Sequence, residues 1–151
     1  MRKLIIGLAL AAGCRSGGAV AGSPGSSGGS NMTGAASPQA AIEQFMGAVK
    51  AQDLQALGAI WGTKNGPARD QMANDQLQER ELIMLCYLKH DSFTVLGDAP
   101  TTDGNRTFAV EVKSGTITHT GQFAVTRAGT GRYYVLAVNN IQEFQDVCGK
   151  H

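Results

Sequence analysis

The spacing of apolar residues changes once along this chain, at His90, and that change restricts the fold more than any other feature. Before it, apolar side chains recur three and four residues apart; after it, they alternate with polar ones. A period near 3.6 lays an apolar stripe along a helix, whereas a period of two loads one face of a strand. Helices first and strands afterwards, with no alternation of the two, predict an α+β domain built on an antiparallel sheet.

In the helical half, Ser37 and Pro38 make a helix start: a hydroxyl to cap it, then a residue whose missing N–H costs nothing in the first turn. Ala41, Ile42, Phe45, Ala48 and Val49 form the apolar stripe that follows, with Glu43, Gln44 and Lys50 off it. Asp53 is placed to cap a second short helix through Ala56, Leu57, Ile60 and Trp61, and the pair predicts an αα-hairpin. Gly62 to Ala68 is a turn segment, because Asn65, Gly66 and Pro67 break any regular pattern. A third helix is expected to begin between Asp70 and Asp75 and to reach about Lys89, with Ala73, Leu77, Met84, Leu85 and Leu88 at core positions. The run Leu82 to Leu88 is apolar nearly all round and is expected to be its most buried part.

In the second half, Ser92 to Leu96 reads as a strand, followed by a loop from Asp98 to Asn105. Arg106 to Lys113 places Phe108, Val110 and Val112 on one face, and Ser114 and Gly115 are read as a hairpin turn. The next strand turns Ile117, His119, Gly121, Phe123 and Val125 towards the helices and a row of Thr116, Thr118, Thr120 and Gln122 away from them. Tyr133 to Asn140 is the last strand, and Ile141 to Val147 is a short closing helix or an extended tail. This reading requires Phe108 and Phe123 to share a sheet face.

The opening SPQAAIEQFMGAVKAQDLQALGAIW, and the helices-then-hairpins order through Asn140, resemble the NTF2-like, SnoaL-type superfamily over residues 37–145. The resemblance implies three helices packed on a curved antiparallel sheet of about four strands, wrapped as a cone around a pocket. A cystatin-like or other α+β sandwich with one helical layer is the rival arrangement. Some members of that superfamily are isomerases, dehydratases or cyclases, using a pocket carboxylate or histidine as general base beside a hydrogen-bond donor. Many others are binding modules. No catalytic motif of those enzymes is matched in this chain, so no residue role is carried over.

The N-terminus supplies an address. Arg2 and Lys3 precede an apolar run from Leu4 to Ala12, which closes on Gly13 and Cys14. The run is shorter than the roughly twenty residues that span a bilayer, and it reads as a secretory signal. It resembles a bacterial lipoprotein signal, which implies cleavage before Cys14 and lipidation of that cysteine, although Ala11 stands where the pattern prefers leucine. An ordinary secretory peptide with an incidental Cys14 is the alternative. Arg15, in place of an aspartate after the cysteine, leans towards the outer membrane by the same resemblance. From Arg15 to Ser37 the chain is rich in Gly, Ser and Ala, with no aromatic residue, and such a segment cannot bury enough apolar surface to offset its ordering entropy. The expected organisation is therefore a signal peptide over 1–13, a lipidated cysteine and flexible tether over 14–37, and one folded domain over 38–151.

Composition excludes several functions. The net charge is +1 with both signs scattered, so nucleic acid is not an expected partner, because neutralising phosphates takes a clustered basic face. His90, His119 and His151 are far apart in sequence and there is no CxxC or HExxH, so neither a metal nor a cofactor is expected. With Cys14 assigned to lipid, Cys86 and Cys148 remain as a pair. Outside the cytoplasm they can form a disulfide, and the alternative is two buried thiols.

For chemistry, His119 is the candidate general base, since its parity turns it towards the helices and an imidazole titrates near neutral pH. Tyr133 or Tyr134 is a candidate donor and Asp70 a candidate carboxylate. The competing reading makes His119 a core or cone-mouth residue bonded to a neighbour, and the others packing or capping residues. Two functions follow as expectations. One is a membrane-anchored, non-catalytic domain that binds a protein partner, an envelope component or a small apolar ligand, with the turn segment Gly62 to Arg69 able to gate a pocket. The other is a small cone-pocket enzyme using His119. A homodimer, if formed through the sheet, would use the threonine row.

Overall fold

The computed structural model describes residues 32–149. The signal segment, Cys14 and the tether as far as residue 31 lie outside the described residues, as do residues 150 and 151. Four helices and a four-stranded antiparallel sheet make up the fold, so the α+β expectation holds. Helix α1 (Pro38–Ala51) begins where the Ser37 side chain accepts the Ala40 N–H at 3.2 Å, and α2 (Leu54–Ile60) where Asp53 accepts that of Ala56 at 3.0 Å. Between them Gln52 adopts a left-handed φ of 54°, which reverses the chain into the αα-hairpin.

The turn segment after α2 is a small ribbon, β1 (Gly62–Thr63) paired with β2 (Gly66–Pro67), continued by a single 3-10 turn over Ala68–Asp70. The amide of Gln71 donates to the carbonyls of Gly66 and Pro67, which ties the ribbon down. Helix α3 (Asn74–Tyr87) follows, and then the sheet in the order β3 (Ser92–Pro100), β4 (Arg106–Ser114), β5 (Ile117–Arg127), β6 (Tyr133–Val138). A 3-10 turn over Ile141–Phe144 leads into α4 (Gln145–Cys148), so the closing segment is helical.

The core lies between α1 and the inner face of β4 and β5. Phe108 and Phe123 are direct cross-strand partners, both buried, and the edge of Phe45 meets Phe123 with ring centroids 6.1 Å apart. Burying each such ring is worth about 1.5 to 3 kcal/mol over leaving it in water. Ile42, Met46, Leu57, Val110, Val125, Val135 and Phe144 complete a closed apolar interior. Helix α1 packs on β5 and β6, α2 on α1 and β6, and α3 chiefly against α2 and α4.

Several expectations are corrected. Leu82 and Ile83, expected to be the most buried part of α3, are 51% and 46% exposed. The inward stripe is instead Leu77, Glu81, Met84 and Leu88, at the 4-3-4 spacing of one helix face, so a carboxylate occupies a core position. Ala73 and Ala56 are also exposed. Strand β3 does not stop at Leu96: a one-residue bulge there restores pairing, and the strand continues to Pro100 against Arg106. The β4–β5 hairpin turns at Gly115 and Thr116, one residue later than read, with Gly115 at φ 59°.

The fold also takes up residues assigned to the tether. Ala35 is fully buried and exchanges backbone hydrogen bonds with Tyr133 at 2.8 and 3.0 Å, while the Gly34 N–H donates to the Ala59 carbonyl. Thr33 Oγ1 meets the Tyr134 hydroxyl at 2.8 Å, and Arg132 donates to the carbonyls of Thr33 and Gly34. Residues 33–35 thus strap across the outer edge of β6, and Trp61 bridges to the same strand at Val135. An edge that would otherwise present unpaired backbone groups is covered.

Candidate functional site

The inner face of the sheet extends past the beginning of α1. Alternation along β4 puts Arg106 on the same face as Phe108 and Val110, and alternation along β5 puts Arg127 on the face of Phe123 and Val125. Tyr133 is the direct cross-strand partner of Arg127. Where α1 stops covering this face, these residues line an open cleft of about 650 Å³ whose other walls are Ser37, Pro38 and Gln39 at the helix start and Asp98, Pro100 and Asn105 on the β3–β4 side. Its volume falls within the range of small-ligand sites.

The polar groups around the cleft differ in what they are free to do. Arg106 is ion-paired with Asp98 across the β3–β4 pair. The Gln39 amide donates to Glu43, the Asn105 amide to Asp103, and the Ser37 hydroxyl oxygen accepts in the α1 cap. Thr101 and the Asn105 N–H hold the Asp103 carboxyl below its usual range. Arg127 stands apart: its guanidinium lies 6.0 Å from the centroid of the Tyr133 ring, a cation–π contact that leaves its donors unused. An adjoining cleft of about 450 Å³, lined by Thr63, Lys64, Asp103 and Leu136, shares Arg127, Gly104 and Asn105 with the first.

The candidate residues of the sequence reading are not brought together. His119 faces inward as expected, but it meets Asp146 of α4 at 2.8 Å and packs against Phe144 at 5.2 Å between ring centroids. It does not line the Arg127 cleft. Tyr134 points to the opposite face from Tyr133 and is buried under the strap, with its hydroxyl on Thr33. Asp70 is exposed beside Arg69. Thr118, Thr120 and Gln122 are exposed on the far face of β5, as their parity requires, whereas Thr116, expected in the same row, lies in the turn before the strand. Of the proposed donors, Tyr133 alone reaches the cleft.

Two buried titratable groups were not anticipated. Glu81 is 3% exposed, its Oε1 has no hydrogen-bond partner, and burial raises its pKa. It presses against α2 where Gly58 leaves room: a Cβ at Gly58 would come within 2.6 Å of that oxygen. His90, 6% exposed, places Nδ1 2.8 Å from the Leu88 carbonyl, so Nδ1 carries the proton and donates; burial holds its pKa below the ordinary value.

Cys86 and Cys148 are bonded, with Cα atoms 4.9 Å apart. The bond joins α3 to α4 beside a shallow groove lined by Glu79, Leu82, Ile83 and Tyr87. Among the described residues there is no cluster of three or more His, Cys, Asp or Glu able to hold a metal, and no helix long and apolar enough to cross a membrane. The chain matches no family model, no curated protein and no solved structure.

Proposed function

We propose that this chain is a bacterial envelope lipoprotein, anchored through Cys14, whose folded domain has the NTF2-like cone architecture and acts as a non-catalytic binding module. The cleft beside α1 carries this reading: a concave surface of small-ligand size left open where the sheet outruns its helical cover. Two further observations support it. The bulge at Leu96 and the register shift between Ala124 and Val125 are the devices by which sheets bend, as a cone requires. The Cys86–Cys148 bond suits an oxidising compartment outside the cytoplasm. In this reading His119 holds the C-terminal segment in place, and the ligand lies along Tyr133 and Phe108.

Anchoring is tested by fractionation. The wild-type chain incorporates labelled palmitate and sediments with outer membranes; Cys14→Ser abolishes the label and moves the protein to the soluble fraction. Palmitate retained in Cys14→Ser would overturn the lipidation site. Binding is tested by amide-shift mapping with small organic probes, which should converge on Arg106, Arg127 and Tyr133; shifts converging on His119 would move the site.

A further inference from the structure

Resting on the reading of the cleft as a binding site, we infer that its ligand is a small monocarboxylate with a flat apolar body, recognised by Arg127. The cleft offers two kinds of surface. Pro38, Pro100 and the Tyr133 ring supply apolar walls above the buried Phe108 and Val125, and the guanidinium of Arg127 lies beside that ring. A flat body packs on the first while its charged end meets the second.

Charge fixes the class of that end. Two guanidinium groups and one carboxylate line the cleft, which leaves a single positive charge. Asp98 already occupies Arg106, the Gln39 and Asn105 amides each donate to a neighbouring carboxylate, and Ser37, whose oxygen accepts in the α1 cap, offers only a neutral O–H. Arg127 is the charged donor of the cleft that has no acceptor among the described residues, and its guanidinium lies 6.0 Å from the centroid of the Tyr133 ring. A planar fork matches a carboxylate through two parallel hydrogen bonds. A cationic ligand would face Arg127 with no uncompensated carboxylate to attract it. A dianion would exceed the single positive charge of the cleft, which Asp98 lines.

The test titrates the full chain carrying Cys14→Ser with benzoate, phenyl phosphate, benzyl alcohol and benzylamine, following amide shifts. Benzoate is expected to bind at least tenfold more tightly than benzyl alcohol, with benzylamine weakest. Arg127→Gln should erase the preference for benzoate, Arg127→Lys should keep part of it, and Tyr133→Leu should weaken all the aromatic probes. Asp98→Asn, which frees Arg106, should tighten benzoate. Equal binding of benzoate and benzyl alcohol at Arg106, Arg127 and Tyr133 would overturn the carboxylate inference and leave the cleft as a binding site. Tighter binding of phenyl phosphate than of benzoate would overturn the single-charge count. The absence of saturable shifts with every probe would overturn both the inference and the binding reading beneath it.

Discussion

His119 Nε2 lies 2.8 Å from Asp146 Oδ1, joining the beginning of β5 to α4 across 27 residues of chain. Two residues further on, Cys148 is bonded to Cys86 of α3. The C-terminal segment is therefore clasped on both sides, with Phe144 fully buried between. The inward-facing histidine that sequence parity offers as a general base thus meets a carboxylate of the closing helix.

Removing the clasp should cost stability in two unequal steps. The Cys86→Ser, Cys148→Ser double variant releases a long loop and should lose about 3 to 4 kcal/mol in guanidinium unfolding. His119→Ala should lose about 1 kcal/mol, since the hydrogen bond it removes is partly exposed to water. Ligand binding at the Arg127 cleft should persist in His119→Ala, and loss of that binding would return His119 to the site.

The strap over β6 should matter as much as a helix cap. Gly34 sits at φ 71° with its missing Cβ 2.7 Å from the Tyr134 ring, so Gly34→Ala must strain the backbone and push the ring aside. A loss of at least about 1 to 2 kcal/mol is expected by thermal or denaturant unfolding. A chain beginning at Ser37 should melt below one beginning at Asn31, because the former leaves Tyr134 uncovered and the backbone of β6 unpaired there. Equal melting would show that the strap contributes nothing.

Glu81 should make the domain less stable as pH rises. Its pKa is raised in the fold, so between the unfolded and folded values the native state binds the extra proton, and stability falls as pH climbs through that window. Glu81→Gln removes the ionisation. It should raise the melting temperature at pH 7 and lose most of that advantage near pH 4, where Glu81 is protonated anyway. His90 works in the opposite sense. Its pKa is depressed, so its contribution is present above the ordinary histidine value and lost as pH falls, and His90→Phe should flatten that acid limb.

Leu82 and Ile83 should tolerate charge. Both lie off the inward stripe of α3, so Leu82→Glu should change stability by no more than about 0.5 kcal/mol. Met84→Ala on the stripe should cost about 2 to 5 kcal/mol. A large loss in Leu82→Glu would restore the expectation that this run is core.

Periodicity was enough for the elements whose two faces differ clearly. The α1 stripe and the pairing of Phe108 with Phe123 follow from spacing, because one face is apolar and the other polar. Spacing failed on α3, where Leu82 to Leu88 is apolar all round and so carries no phase; a charged residue at position 81 concealed the true one. The cleft residues were within reach of the same rule. One further step of alternation from Phe108 leads to Arg106, and from Val125 to Arg127. Those steps mark where the inner face turns polar, but not that α1 stops short of covering it.

By itself, then, the sequence determined the class of fold, the two helix caps at Ser37 and Asp53, and which side of each central strand faces inward. These are local properties, set by side-chain period and by backbone groups a few residues apart. Only the tertiary structure decided that His119 clasps α4, that residues 33–35 complete β6, that Glu81 is buried, and that Arg127 and Tyr133 edge an open cleft. Each of those depends on where separate elements end relative to one another in space, and spacing along the chain does not carry that information.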